Sequence, residues 1–334
     1  MPLSAQTTPA DSPSHLQSNR VCAHRLSRRT LLKGVGGLAA ASVIGGGAVV
    51  AGSAPAQAAL TVVEHEDHGR MQYYKLATSS VGLLPSVNVL LPDGYDISRR
   101  YPVLFLLHGG GENYSTFDTK YDIRNHTAGR DLIVVMPDGG AAGWYSDPES
   151  SNVGPRNWET FHIKELIPWV DATFATTGQA SRRAISGFSM GGFGALKYAA
   201  KYPELFASVS SHSGPADLRI QDGAVVHWAN FTASATDLKG GTIYGIPWDQ
   251  ARVSADNPVE HVESYRGKRV FLVCGTDSDR YESIVLPSQQ NFEKALDGAG
   301  IGYERYEDTG AHVVRWGRIQ QDIDSLLNHF ATAG

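Results

Sequence analysis

The chain has 334 residues, two cysteines and a formal net charge of −5 at pH 7. This length can hold one domain with a large core, and an acidic chain is a poor candidate for binding nucleic acid. Beyond the N-terminal segment, no apolar run approaches the length that spans a membrane.

The first 58 residues have the pattern of an export signal. Residues 27–33 (Ser-Arg-Arg-Thr-Leu-Leu-Lys) are close to the twin-arginine signal, 34–52 are rich in Gly, Ala and Val, and 56–58 (Ala-Gln-Ala) form a small-x-small cleavage site. We therefore predict a twin-arginine signal peptide over 1–58, with an uncleaved membrane anchor as the alternative. Cleavage would remove five basic residues and one acidic residue, changing the formal charge from −5 to −9. The mature protein would be secreted or held in the cell envelope, without a stable membrane span.

Strand-like and helical segments alternate through residues 59–334, which predicts one domain with a mostly parallel central sheet and helices on both faces. Residues 86–91 alternate as an edge or antiparallel strand would, and the continuous apolar runs 102–107 and 132–136 predict buried parallel strands. The other predicted strands are 183–186, 206–210, 269–274 and 303–307. The predicted helices are 158–174, 194–201, 284–299 and 315–330.

A polar segment at about 215–255 interrupts this alternation. We expect an irregular insertion over the carboxyl edge of the sheet, where substrates bind, and not a separate domain. Its aromatic residues Trp228, Phe231 and Trp248 are expected to pack in the core rather than line an acyl site.

Cys274 would be the only cysteine left after cleavage, which excludes an intrachain disulfide, and we expect it to be buried.

Residues 187–191 (Gly-Phe-Ser-Met-Gly) fit the pattern G-x-S-x-G, in which a serine lies on a sharp turn between a strand and a helix. The predicted strand before it and the predicted helix after it supply that context. Gly187 and Gly191 lack the side chains that would clash in such a turn. We predict that Ser189 is a nucleophile in an α/β-hydrolase fold; the alternative is a glycine-rich turn with an idle serine.

A serine hydroxyl is a weak nucleophile that needs a base, and the base needs an orienting acid. In this fold the chain order is serine, acid, histidine. His312 lies in a glycine-bearing loop between the last strand and the last helix, where the base belongs. His261 lies too early, and His329 lies within the last helix.

Three carboxylates are candidates for the acid: Asp277, Asp279 and Glu282. All three lie in the loop 275–282 that follows the strand 269–274, and position alone does not choose among them. Asp277 and Asp279 also permit a weak calcium interpretation, but the spacing of an EF-hand is missing. We expect no metal and no organic cofactor.

The tetrahedral intermediate needs hydrogen-bond donors for its oxyanion. We predict the backbone N–H of Met190, which follows the serine, and that of Gly110 in the run 108–111 (His-Gly-Gly-Gly). His108 is expected to fix this loop by a hydrogen bond and not to act as a general base. The alternative for the glycine run is a tight turn with no catalytic part.

Several separated segments together resemble the esterase D superfamily and, within it, the secreted mycolyltransferases (antigen 85) of the bacterial cell envelope. The segments that carry the resemblance are 144–147 (Trp-Tyr-Ser-Asp), 157–161 (Asn-Trp-Glu-Thr-Phe), the Ser189 turn, 256–258 (Asp-Asn-Pro) and the His312 loop with Trp316. In the mycolyltransferase pattern the acid is a glutamate ten residues before an aromatic, as Glu282 is before Phe292. The esterase D hydrolases place an aspartate earlier in the loop, which Asp279 would match. The resemblance therefore favours Glu282 over Asp279.

Two departures from the mycolyltransferase pattern favour hydrolysis over transfer. That pattern has Asp-Gly-Leu at the oxyanion loop, whereas this chain has the histidine and glycines of the ester hydrolases, and Val314 replaces a tryptophan. We predict a secreted serine esterase that hydrolyses small or carbohydrate-linked acyl esters through an acyl-Ser189 intermediate. The alternatives are an acyltransferase of the mycolyltransferase type and, in another class, a non-catalytic carbohydrate-binding protein or adhesin. Acyl chain length, alcohol and oligomeric state stay open.

Overall fold

The computed structural model describes residues 60–332, so the predicted signal peptide lies outside the described residues. Nine strands in this part of the chain form one sheet. Their bounds are β1 Thr61–His68, β2 Met71–Ala77, β3 Ser86–Leu90, β4 Val103–Leu107, β5 Ile133–Pro137, β6 Arg183–Phe188, β7 Ser208–His212, β8 Arg269–Gly275 and β9 Glu304–Asp308. The order across the sheet is β1-β2-β3-β5-β4-β6-β7-β8-β9.

Strands β4 to β9 run parallel, whereas β1, β2 and β3 extend the sheet through antiparallel pairs. The sequence did not predict β1 and β2. Almost every residue of β1 is exposed, so β1 lacks the apolar run that marks a buried strand. In the parallel part Leu107 is level with Gly187, and Gly187 with Ser211, so β4, β6 and β7 end at one edge. That edge carries the site described below.

Helices cover both faces of the sheet. Their bounds are α1 Thr116–Thr119, α2 Ile123–His126, α3 Trp158–Thr160, α4 Ile167–Thr173, α5 Met190–Lys201, α6 Ile220–Ala235, α7 Gln250–Asp256, α8 Glu282–Ala299 and α9 Trp316–Thr332. One apolar cluster joins the sheet to α4, α5, α6 and α8, and a second joins the opposite face to α1, α2 and α9. The predicted α/β-hydrolase fold, with a mostly parallel sheet between two helical layers, is confirmed.

The helix predicted over 158–174 is present but differs in character. A π-helical segment, Phe161–Leu166, connects α3 and α4. Most of its side chains are buried, so the segment is less amphipathic than the sequence suggested.

The segment 215–255, predicted as an insertion, is not irregular as expected, because it contains α6 and α7. The turn Gln221–Gly223 has positive φ angles and breaks the start of α6, which hides the helical pattern that follows. Phe231 on α6 is 72% exposed, so it does not pack in the core as expected. Trp228 is half-buried, and Trp248 packs only partly against the core.

Helix α5 is buried along its length, and its Lys197 is fully buried. The Lys197 ammonium lies 2.7 Å from Glu159 and 2.9 Å from Asp256, and it donates to the Ser146 hydroxyl at 2.7 Å. Burial alone would raise the pKa of Glu159, but Lys197 and Lys201 outweigh it and lower that pKa to about 2. Ser146, Glu159 and Asp256 belong to three of the segments that carry the family resemblance. These segments therefore meet around the buried Lys197 ammonium, on the helix that follows Ser189.

Within residues 60–332, no helix combines the length and the apolar character needed to cross a membrane.

Candidate active site

Ser189 lies on the sharp turn between β6 and α5, with φ 54° and ψ −118°. This conformation is strained for a non-glycine residue. The Ser189 N–H donates to the carbonyl oxygen of His212 at 2.8 Å, which ties the turn to the end of β7. A Cβ on Gly187 would collide with the backbone of Gly191, and a Cβ on Gly191 would collide with the carbonyl of Leu107. Both glycines are therefore required by the close backbone approach.

The structure brings Ser189, His312 and Glu282 together. His312 Nε2 lies 2.8 Å from Ser189 Oγ, and His312 Nδ1 lies 3.3 Å from Glu282 Oε1. An ionised Glu282 can only accept, so Nδ1 donates to it and Nε2 is left to accept the Ser189 O–H. The arrangement can move a proton from Ser189 to the imidazole.

Glu282 is the first residue of α8, and it is 1% exposed. Besides His312, its carboxylate accepts from the Ser213 hydroxyl at 2.6 Å, the Cys274 thiol at 2.9 Å and the Gly275 N–H at 3.2 Å. Burial would raise the pKa of Glu282, but the hydrogen bonds from His312, Cys274 and Ser213 outweigh it and leave the pKa below its ordinary value. Glu282 is thus held as a carboxylate.

The other two candidate acids hold backbone and not the imidazole. Asp279 accepts from the N–H groups of Tyr281 at 2.7 Å, Glu282 at 2.9 Å and His312 at 2.7 Å. Desolvation opposes these bonds, yet together they lower the pKa of Asp279. Asp277 accepts from the Gly310 N–H at 3.2 Å. Asp279 therefore connects the His312 loop to the start of α8, and Asp277 connects it to the loop that precedes this helix.

The glycine loop after β4 is fixed by His108, which is 1% exposed. The Gly139 N–H donates to His108 Nε2 at 2.9 Å, so Nδ1 carries the proton and donates to the Gly109 carbonyl at 2.8 Å. Burial lowers the pKa of His108 and keeps it neutral. In a trans peptide the C=O and N–H point in opposite directions, so the Gly110 N–H faces away from His108.

The second predicted oxyanion donor is the backbone N–H of Met190. Met190 is the first residue of α5, where a backbone N–H has no partner within the helix. Gly110 and Met190 both line the cavity that contains Ser189 and His312.

That cavity has a volume of about 440 Å³. Six aromatic side chains contribute to its walls: Tyr121, Trp144, Phe188, Trp228, Tyr281 and Trp316. Val314, at the position where the mycolyltransferase pattern has a tryptophan, also lines the cavity, and Trp316 lies two residues further on. From the segment 215–255, Trp228 and Thr232 on α6 and Thr236, the residue after that helix, also line the cavity.

The sequence did not predict that four further side chains would contact Glu282 or His312. Ser213 and Cys274 hold Glu282, while the rings of Phe188 and Tyr281 lie 5.0 and 5.1 Å from the His312 ring. Phe188 and Tyr281 are the immediate neighbours of Ser189 and Glu282, and this adjacency is the signal that could have found them. Within the described residues, no group of three or more His, Cys, Asp or Glu side chains could hold a metal ion.

The parallel sheet, the serine turn after β6 and the histidine loop after β9 define an α/β-hydrolase-fold protein. A family model named Esterase, with the description "Putative esterase", matches residues 78–323, and the chain belongs to this family. The predicted resemblance to the esterase and mycolyltransferase superfamily is confirmed.

Two curated relatives illustrate the range of that superfamily. The chain is 56% identical over 277 residues to esterase Rv1288 of Mycobacterium tuberculosis (strain H37Rv), a match that covers 80% of this chain and 60% of the relative. The chain thus spans about 60% of the length of that relative. It is 29% identical over 250 residues to the diacylglycerol acyltransferase/mycolyltransferase Ag85B of Mycobacterium leprae, covering 69% of this chain and 74% of the relative.

Solved structures show the same fold. An S-formylglutathione hydrolase from Agrobacterium tumefaciens superposes with a TM-score of 0.65 at 21% identity, covering 82% of this chain and 99% of that one. Mycobacterium tuberculosis MPT51 superposes with a TM-score of 0.62 at 20% identity, covering 78% and 97%.

Proposed function

We propose that this chain is a serine esterase that hydrolyses carboxylic esters through an acyl-Ser189 intermediate. The observation that carries the proposal is the 2.8 Å contact between His312 Nε2 and Ser189 Oγ at an open, aromatic-lined cavity. Membership of the esterase family and the 56% identity to an esterase support the reaction class.

In the acylation step, Ser189 Oγ bonds to the ester carbonyl carbon while its proton passes to His312 Nε2. The resulting oxyanion would accept from the N–H groups of Gly110 and Met190. The imidazolium then gives its proton to the alcohol oxygen as the C–O bond breaks. Glu282 stays ionised throughout and stabilises the imidazolium.

In the deacylation step, water takes the place of the alcohol. His312 removes a proton from the water, whose oxygen bonds to the acyl carbon, and the same proton returns to Ser189 Oγ as the acid leaves. An acceptor sugar could replace the water without any change in the catalytic groups, so hydrolysis and transfer differ only in the second nucleophile.

The test uses the purified protein with a panel of p-nitrophenyl esters from acetate to decanoate, alone and with trehalose. We expect free acid as the main product with and without the sugar. If acylated trehalose became the main product, the protein would be an acyltransferase and the proposed hydrolase activity would be wrong. A fluorophosphonate probe should add one label per chain on Ser189, and failure to label together with no turnover would favour the non-catalytic carbohydrate-binding alternative.

We also propose that residues 1–58 direct export by the twin-arginine route, on the pattern of residues 27–33. Replacing both Arg28 and Arg29 by Lys should leave the protein inside the cell. Export unaffected by this double change would contradict the proposed route.

A further inference from the structure

Four rings form a contact series that runs from the insertion to the candidate base. Trp228 stacks on Tyr281 with ring centroids 5.3 Å apart, Tyr281 lies 5.1 Å from His312, and His312 lies 5.0 Å from Phe188. We call these four residues the aromatic row. Trp228 belongs to α6, Phe188 is the last residue of β6, and Tyr281 and His312 lie after β8 and β9. The row therefore joins four separate parts of the chain.

The hydrogen bonds of His312 leave one motion of its ring unrestrained. Contacts at Nδ1 and Nε2 fix two points of the imidazole, but the ring can still tilt about the line that joins them. The contact to Glu282 is also long, at 3.3 Å. Packing against Tyr281 and Phe188 supplies the missing restraint, because neighbouring rings resist a change in tilt.

Tyr281 is itself held from two directions. Its backbone N–H donates to Asp279, the same carboxylate that accepts the His312 N–H. Its ring is covered by Trp228, which also meets Trp144 edge-on with centroids 5.1 Å apart. The Trp144 indole N–H in turn donates to Thr232, one turn further along α6. Helix α6 therefore fixes Trp228, and Trp228 covers Tyr281.

Trp228 is only half-buried, and it lines the cavity that contains Ser189. A substrate group that fills this side of the cavity would touch the same ring that braces Tyr281. On the proposed esterase function, we infer that Tyr281 is a positioning residue for His312 and that Trp228 acts on the base through Tyr281. Substrate contacts at the insertion then raise the acylation rate as well as the affinity.

The experiment measures the single-turnover acylation rate at saturating p-nitrophenyl butyrate. We expect Tyr281→Leu to lower this rate about tenfold or more, because small displacements of a catalytic group are costly. Tyr281→Phe keeps the ring and should stay within about twofold of the wild type. Trp228→Leu should lower the rate about 3- to 10-fold, and KM should rise as well.

The double variant tests whether Trp228 acts through Tyr281. If it does, Trp228→Leu adds little to Tyr281→Leu, and the double variant stays within about twofold of that single variant. Phe231→Leu is the matched control, since Phe231 lies on the same helix but is exposed and outside the cavity lining. It should acylate at the wild-type rate.

An unchanged saturated rate in Tyr281→Leu, or losses that multiply in the double variant, would overturn the inference. Circular dichroism establishes that each variant is folded; if Tyr281→Leu does not fold, an unchanged rate in Trp228→Leu overturns it instead. A wild-type protein that is not acylated at all would defeat the esterase proposal and with it this inference. Normal wild-type acylation with no effect of either variant would defeat only the inference.

Discussion

The carboxylate of Asp279 accepts the backbone N–H of His312 at 2.7 Å, so it holds the histidine loop and not the imidazole ring. The ring faces Glu282 instead. Two carboxylates three residues apart thus have separate structural tasks.

Because the two carboxylates have different contacts, catalytic activity should depend more on Glu282 than on Asp279. Glu282→Gln should lower kcat about 10³- to 10⁴-fold, because the amide neither stabilises an imidazolium nor fixes the ring tautomer. Asp279→Asn loses one of the two oxygen acceptors for its three N–H contacts but leaves the imidazole contact with Glu282 in place, so it should stay within about tenfold of the wild type. Asp277→Asn serves as the control for charge in the same loop. Steady-state kinetics on p-nitrophenyl acetate would rank the three, and a larger loss in Asp279→Asn than in Glu282→Gln would refute our assignment.

Ser189 and His312 should behave as one catalytic unit. Ser189→Ala and His312→Ala should each remove nearly all activity, with losses of about 10⁴-fold or more in kcat. The double variant should lose no more than either single one, because each change already disables the same proton transfer. Losses that multiply would mean that the two residues act independently. Titration with a fluorophosphonate reports the wild-type active fraction, and unfolding curves should match among the variants.

The Gly110 N–H can be tested with a variant that removes the donor and a second variant that keeps the donor but adds a side-chain atom. Gly110→Pro eliminates the N–H and should cost about 3–4 kcal/mol of transition-state stabilisation, seen mainly in kcat. Gly110→Ala keeps the donor, and its Cβ would meet only the Ala141 carbonyl at 3.8 Å, an ordinary contact. Its loss should be much smaller. Equal losses in the two variants would show that crowding of the loop, and not the missing donor, limits the rate.

The buried cluster at Lys197 predicts how stability depends on pH. The pKa of Glu159 is about 2 in the folded protein against an ordinary value of 4.5. The contribution of ionised Glu159 to the free energy of unfolding is therefore complete above pH 4.5 and is lost as the pH falls from 4.5 toward 2. A pKa shift of this size corresponds to about 3 kcal/mol of that free energy. Urea unfolding between pH 7 and pH 3 would measure the loss.

Glu159→Gln should destabilise the protein at pH 7 and flatten that acid dependence. The exposed pair Arg99 and Asp131 offers a matched comparison, since both side chains are more than half exposed. Asp131→Asn should change stability by less than about 1 kcal/mol. Identical acid profiles for Glu159→Gln and the wild type would contradict the role given to the cluster.

The sequence predicted the elements that have a strong local signal. The apolar runs that became β4 and β5 were found because buried parallel strands have no polar face. The Ser189 turn was found because its glycines are required by close backbone contacts. The edge strand β1 was not found, since pairing with β2 stabilises it and its exposed residues carry no pattern of burial.

The site was predictable to the extent that its residues lie in recognisable turns. The loop of His312 was identifiable from chain order, but the choice between Glu282 and Asp279 depended on a family spacing. The contact of Trp228 with Tyr281 links residues that are 53 positions apart. No local pattern encodes such a contact, because it follows from how α6 folds back over the sheet after a turn of unusual backbone conformation.

Helix α5 presents no free face: residues 190–200 are all buried, and Lys197 is closed in by two carboxylates. The lining of the cavity differs, since Val313 and Trp316 are well exposed. Substitutions at these exposed positions therefore cost little folding stability, whereas substitutions in the buried helix α5 are costly. Substrate preference can therefore change during evolution while the catalytic residues stay the same.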